Sequence, residues 1–275
     1  MKQDTRKLVF FLVATFIWTW VCYTPIAVSG NSPYSMPWMI LLILGGMGPS
    51  SVGVLMVIFS KDKEYRRDYW HRCFSFRQIS WVWWLVIFLM FPILYGLNVA
   101  IDVTLGGSLP GMEQLRALIA NPAAIPLTAF ISFLSGPWAE EFGWRGYALD
   151  RIIKKPLGII PGTLVLGFIW GIWHLPLFFM PASGHGQMGW GFDGFWSFNL
   201  RSMGLALLMT WVYLKTNRSI LSAIFMHFTS NFTSQLLWPF AGSSNVVNMI
   251  LLLAFGLITC MTLKDPWKAP APIED

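Results

Sequence analysis

The sequence predicts an all-α, polytopic integral membrane protein of about eight transmembrane helices, with both termini in the cytoplasm. Composition, the spacing of apolar runs and the placement of Lys and Arg carry that expectation. Hydrophobic residues make up 55% of the chain and charged residues 12%, with a mean hydropathy of +0.57. A soluble domain would carry about a quarter charged residues. No long polar stretch interrupts the 275 residues, so one membrane domain is expected and no sizeable soluble one. The net charge of +6 sits in loops between apolar runs, which excludes a nucleic-acid-binding face.

A helix needs about 20 apolar residues to cross the hydrocarbon core. Candidate spans are 8–28, 38–59, 79–101, 125–149, 161–179, 198–214, 220–238 and 246–263. The first is too long for a signal-peptide core and lacks a small-residue cleavage pattern, so it reads as a retained helix. The second is interrupted by Gly45, Gly46, Gly48, Pro49 and Gly53, which predicts a kink or a close helix contact. Pro161 suits the first position of the fifth, where its missing N–H costs nothing. All of the 19 Lys and Arg except Arg116 and Arg201 fall on one side of this topology, and the positive-inside rule makes that side cytoplasmic. Both termini lie there, as an even number of spans requires.

The loop 61–78 is basic with interleaved aromatics and reads as an interfacial helix on anionic lipid. Residues 266–275 read as a disordered tail. Cys22, Cys73 and Cys260 form neither a disulfide framework nor a CxxC site. Three regions follow: 1–122 with spans one to three and the basic loop, a core at 123–238, and 239–275 with the last span and a short tail.

Polar residues inside the spans carry the functional reading. Ionisable groups at bilayer depth cost roughly 2.5 kcal/mol or more each, so they face protein or a wet cavity and mark function. Glu140 and Glu141 lie in span four, His174 in span five, and His227 and Asn231 in span seven. At about 1.5 Å rise per residue, Glu140, His174, His227 and Asn231 all sit on the order of 10–18 Å from the cytoplasmic end of their helix. They share one layer and suggest a hydrolytic site. Glu141 and Arg145 are i, i+4 and pair on one face, as His227 and Asn231 share theirs. Glu140 points about 100° away from Glu141. It is read as the base that activates water, with His174 helping to hold that water. His227 and Asn231 are read as hydrogen-bond donors to an oxyanion.

The segment Glu-Glu-Phe-Gly-Trp-Arg at 140–145 matches an EExxxR motif, Trp170 to His174 resembles FxxxH, and His227 to Asn231 matches HxxxN. In order and spacing these resemble the CAAX protease and bacteriocin-processing family, also called CPBP or Abi, and its CAAX prenyl protease 2-type intramembrane endopeptidases. The resemblance covers roughly 123–238 and leaves the first three spans outside. It implies an eight-helix membrane endopeptidase with Glu140, His174, His227 and Asn231 as the catalytic set and Glu141 and Arg145 as support. The substrate it implies is a membrane-associated protein or peptide, with a prenylated, CAAX-like chain among the candidates. Trp170 stands where the family has Phe and reads as packing beside the site, altering pocket shape rather than chemistry.

Several alternatives stand beside this reading. Metal-free catalysis is favoured, while zinc held by Glu140, His174 and His227 is the alternative, with no HExxH present. A non-catalytic immunity or regulatory membrane scaffold is the second function class. A transporter would show internal repeats, and none is seen. Blandly read, Glu141–Arg145 is an ion pair, His174 a core histidine at a Trp-His-Leu-Pro kink, and His227/Asn231 interhelical glue. His185 reads as a loop residue, His71 as solvated, and Trp81, Trp83 and Trp84 as an interface anchor. The expected location is multi-pass in the cell membrane of a prokaryote or the endoplasmic reticulum of a eukaryote.

Overall fold

The structure is a computed structural model that describes residues 2–154, 157–237 and 243–263. Lys155, Trp238, Lys264, Lys268 and the tail 266–275 lie outside the described residues. The regular structure of the described chain is all helical, with no strand among the described residues.

Helix α1 runs Lys2–Ser29. The glycine-rich second span divides into α2 (Trp38–Gly46) and α3 (Gly48–Ile58), bent by 47° at Met47. Both expected consequences of its glycines are present. The bend lies between Gly46 and Gly48. Further on, a Cβ on Gly53 would lie 2.8 Å from the Cα of Gly143, so only a glycine lets these backbones approach. Helix α4 (Lys63–Phe74) starts at Asp62, whose carboxylate accepts from the backbone N–H groups of Glu64 and Tyr65. It satisfies two of the four N–H donors that a helix start leaves unpaired.

Helix α5 (Trp81–Thr104) packs against two later helices, and α6 (Glu113–Ala120) turns by 109° into the stretch Pro122–Ile153. That stretch is α7 (Ile125–Phe133), α8 (Ala139–Gly143) and α9 (Leu149–Ile153), joined by two π-helical turns at Leu134–Trp138 and Trp144–Ala148. Next come α10 (Ile159–Trp173), a 3-10 segment Leu175–Phe179, and the short α11 (Gly184–Met188). The chain closes with α12 (Ser197–Lys215), α13 (Ile220–Leu237) and α14 (Ser243–Met261). Helix α12 packs between α10 and α14, α13 lies on α5, and α3 crosses α8.

Three sequence expectations change. Pro161 is the third residue of α10 rather than the first, still within the turn whose N–H groups have no helical acceptor. The fourth span continues past Leu149 to Ile153. The basic loop is not simply laid on lipid, because one face of α4 (Tyr65, Tyr69, Arg72 and Cys73) is buried in protein. Tyr69 donates to the carbonyl of Phe142 at 2.8 Å. Arg72 pairs with Asp68 at 2.8 Å and reaches Asp150 at 3.6 Å. Arg218, after α12, donates to Asp150 through Nε and Nη2, and Tyr213 donates to its other oxygen at 3.0 Å. Asp150 therefore ties three elements together at the basic end.

Among the described residues, four helices are long and apolar enough alone to cross a membrane, and counting each of the two bent pairs as one span brings the number to six. Helices α12 and α13 are not among them. They carry buried Asn199, Arg201, Ser202, Thr210, Ser222, His227, Thr229 and Ser230. A helix enclosed by other helices can carry polar groups that a lipid-facing helix cannot. Outer residues of α1 and α5 are apolar and exposed, among them Phe10, Ile17, Val21, Phe88 and Ile93. Such a surface suits hydrocarbon.

Candidate active site

The two glutamates occupy one α-helical turn flanked on both sides by π turns. Pro137, without an N–H, and Gly136 lie in the first of them. Each π turn inserts a residue into the helical phase and lets neighbouring side chains face inward together, and such turns are frequent at functional sites. Glu140 and Glu141 are both buried.

Glu141 pairs with Arg145, as the i, i+4 spacing predicts, with Nη1 to Oε1 at 2.9 Å. The same oxygen lies 2.7 Å from His227 Nδ1, a contact between residues 86 apart in the chain. A carboxylate only accepts, so Nδ1 carries the proton and Nε2 is turned toward the site. Glu141 thus does more than hold an arginine. It fixes the orientation and tautomer of His227.

Trp170 does more than pack. Its indole N–H donates to Glu140 Oε2 at 2.6 Å. Its ring face lies under the Arg145 guanidinium at 4.4 Å, and its edge meets His227 at 5.2 Å between centroids and 83°. Its carbonyl accepts from His174 Nδ1 at 2.8 Å. Every sequence motif therefore touches this one residue. A phenylalanine could supply the ring and the carbonyl, but not the hydrogen bond to Glu140. The expectation that Trp170 alters only shape missed that N–H. The residue type was legible, but its partner 30 positions away was not.

Three polar groups converge over Gly136. A Cβ built there would lie 2.8 Å from Asn231 Nδ2, 3.3 Å from His227 Nε2 and 3.5 Å from Glu140 Oε1. The bare glycine keeps this space open, and the free oxygen of Glu140 faces it. His174 is half-buried beside Trp170, and its Nδ1–H is engaged, which leaves Nε2 as its acceptor atom.

The zinc-ligand set changes accordingly. Among the described residues, the ligand atoms that lie within 4.8 Å of one another belong to Glu140, Glu141 and His227, not to Glu140, His174 and His227. Glu141 serves Arg145 and His227 through Oε1, while its buried Oε2 has no hydrogen-bond partner among the described residues. His185 also departs from its reading as a plain loop residue. Its ring stacks on His174 at 5.1 Å and 22°, and both meet Phe198. Burial pushes the thiol of Cys73, on α4, up to about 12, which favours its protonated form.

Residues 122–233 match the model of the type II CAAX prenyl endopeptidase Rce1-like family. Over that stretch the chain is similar to the CAAX prenyl endopeptidases. CAAX prenyl protease 2 of Methanococcus maripaludis is 28% identical to it over 232 residues, 82% of this chain and 83% of that protein. The similarity thus extends beyond the core that the motifs delimit. The kinship supports a membrane endopeptidase, and all three motif segments lie within the matched region.

Proposed function

We propose that this chain is an intramembrane endopeptidase of the glutamate type, crossing the membrane eight times with both termini cytoplasmic. Glu140 takes a proton from water through Oε1 while Trp170 holds Oε2. The water oxygen attacks the scissile carbonyl carbon. His227 acts as an imidazolium whose Nδ1–H is held by Glu141, and its Nε2–H donates to the developing oxyanion beside the Asn231 amide. His174 Nε2 accepts from the attacking water. Collapse of the tetrahedral intermediate breaks the C–N bond, and Glu140 returns its proton to the leaving amine.

The single observation that carries this reading is the convergence of Glu140 Oε1, His227 Nε2 and Asn231 Nδ2 on the open face of Gly136. The engagement of Glu141 Oε1 by Arg145 and His227 gives that carboxylate a positioning role, and the reading takes the reaction as metal-free. The substrate class follows the name of the relative, a prenyl protease acting on CAAX proteins. For this chain it is a membrane-anchored peptide bearing a C-terminal lipid, cleaved near the cytoplasmic side.

The test compares membrane-protein termini in cells carrying the wild type and Glu140→Ala at equal abundance. Termini that appear only with the wild type support proteolysis and name its substrates. Identical termini overturn the reading in favour of a membrane scaffold. Metal analysis of the purified, active protein separates the subtypes, since stoichiometric zinc would overturn the metal-free form.

A further inference from the structure

A groove of about 750 Å³ lies between α1, α3, the start of α4 and the Tyr147–Arg151 side of the helix that carries the glutamates. Its two ends differ in chemistry. Lys7, Lys61 and Arg151 line one end, and Phe10, Trp18, Leu55 and Met56 line the rest. Arg151 is held in place there, donating to the carbonyl of Tyr147 at 2.8 Å and lying 3.9 Å over the Tyr147 ring. Asp62, the acidic residue at the same end, is already committed to the start of α4 through Glu64 N–H and Tyr65 N–H. That end of the groove thus carries three cationic residues and one carboxylate.

We infer that this groove binds one anionic glycerophospholipid, with its phosphate among Lys7, Lys61 and Arg151 and an acyl chain along α1 and α3. Charge complementarity selects the headgroup. Length selects the chain. From Lys7 to Trp18, eleven residues of helix at about 1.5 Å each give about 16 Å. One leaflet of a hydrocarbon core about 30 Å thick is about 15 Å deep. The apolar wall thus runs the depth of a single leaflet, below a polar cluster at its rim. A prenyl chain would fill the apolar part but has no use for three cations. The basic loop does meet anionic lipid, but at the groove beside the start of α4 rather than along its buried face.

Arg151 and Tyr147 continue the helix that carries Glu140, and α3 backs that helix at Gly53 and Gly143. The lipid would therefore brace the wall behind the active site. Binding itself is independent of the proteolytic reading and can be measured without substrate.

The purified full chain would be incubated with dioleoylphosphatidylglycerol and with dioleoylphosphatidylcholine, and retained lipid counted by native mass spectrometry. The expected result is one phosphatidylglycerol per chain retained well above phosphatidylcholine. Neutralising two cations in the Lys7→Gln/Lys61→Gln variant should weaken that preference by on the order of thirtyfold. Leu55→Trp, which fills the apolar part at a partly exposed site, should abolish retention with every charge intact. Arg67→Gln/Arg77→Gln, exposed outside the groove, should leave it unchanged. Equal retention of both lipids overturns the inference. So does an undiminished preference in either groove variant, or an equal loss in the Arg67/Arg77 control. Displacement of phosphatidylglycerol by a farnesylated peptide would overturn it in favour of a substrate-lipid site.

Discussion

Two carboxylates on one helical stretch, the half-buried Asp150 and the buried Glu140, are surrounded by cationic groups in opposite ways. Asp150 receives Arg218 through two nitrogens, Tyr213 through its hydroxyl, and Arg72 at 3.6 Å. Both of its oxygens are occupied, by groups from two other elements. Glu140 accepts one indole N–H at 2.6 Å, and its second oxygen faces the space over Gly136. Its positive neighbour Arg145 is committed to Glu141. The first arrangement consumes its charge in holding α4, α9 and the loop after α12 together. The second keeps a carboxylate oxygen positioned and unspent. Partial or full burial and a nearby arginine are common to both carboxylates. An oxygen facing an open, polar-lined space is what sets Glu140 apart.

The sharpest way to break this contrast is to neutralise each carboxylate without changing its size. Glu140→Gln should lower the rate of peptide cleavage by about 10³-fold, within the range that loss of a general base gives. Its thermal midpoint should stay near that of the wild type, because the amide keeps an acceptor for Trp170. A variant that cleaves within tenfold of the wild type would remove Glu140 from the reaction. Asp150→Asn should do the reverse. It leaves Arg72 and Arg218 beside an uncharged amide and should cost about 3 kcal/mol of stability, the lower range for breaking a buried pair. Chemical denaturation in mixed micelles reads this directly, and cleavage per folded molecule should hold.

A smaller effect is expected from Gly136→Ala. Its Cβ would crowd the Asn231 amide at 2.8 Å. Displacement of catalytic groups by about 1 Å costs about a hundredfold in rate. Activity should fall on that scale with KM nearly unchanged, and a rise in KM alone would place Gly136 in substrate binding instead. Trp170→Phe should show the smallest effect. It keeps the ring under Arg145 and loses one hydrogen bond, about 1 kcal/mol. Cleavage should drop about five- to tenfold through kcat, and wild-type kcat would reduce Trp170 to packing.

Much of the site was legible because helical periodicity is local. The i, i+4 spacing alone places Arg145 beside Glu141 and Asn231 on the face of His227. The apolar runs placed the helices, with errors of a few residues at their ends, where Pro161 and Leu149 show that neither proline nor hydropathy marks a boundary sharply. Contacts between helices were not legible. Nothing local to Glu141 announces His227, and nothing in Trp170 announces Glu140. The stacking of His185 on His174 needs the chain to turn back through the 3-10 segment after α10. The π turns around Ala139–Gly143 also escaped, because Gly136 and Pro137 signal a disturbance without specifying its form.

The sequence by itself determined a membrane-embedded, all-α chain, the polar residues carried in its spans and their common depth, because length, apolarity and rise per residue are properties of single helices. Only the tertiary structure decided which of those residues touch. It assigned Glu141 to His227 and Trp170 to Glu140, left the other oxygen of Glu140 facing Gly136, and turned Arg72 inward to Asp150. Those outcomes depend on how helices rotate and cross, which is set by close approaches such as Gly53 on Gly143 and by hydrogen bonds between residues far apart in the chain.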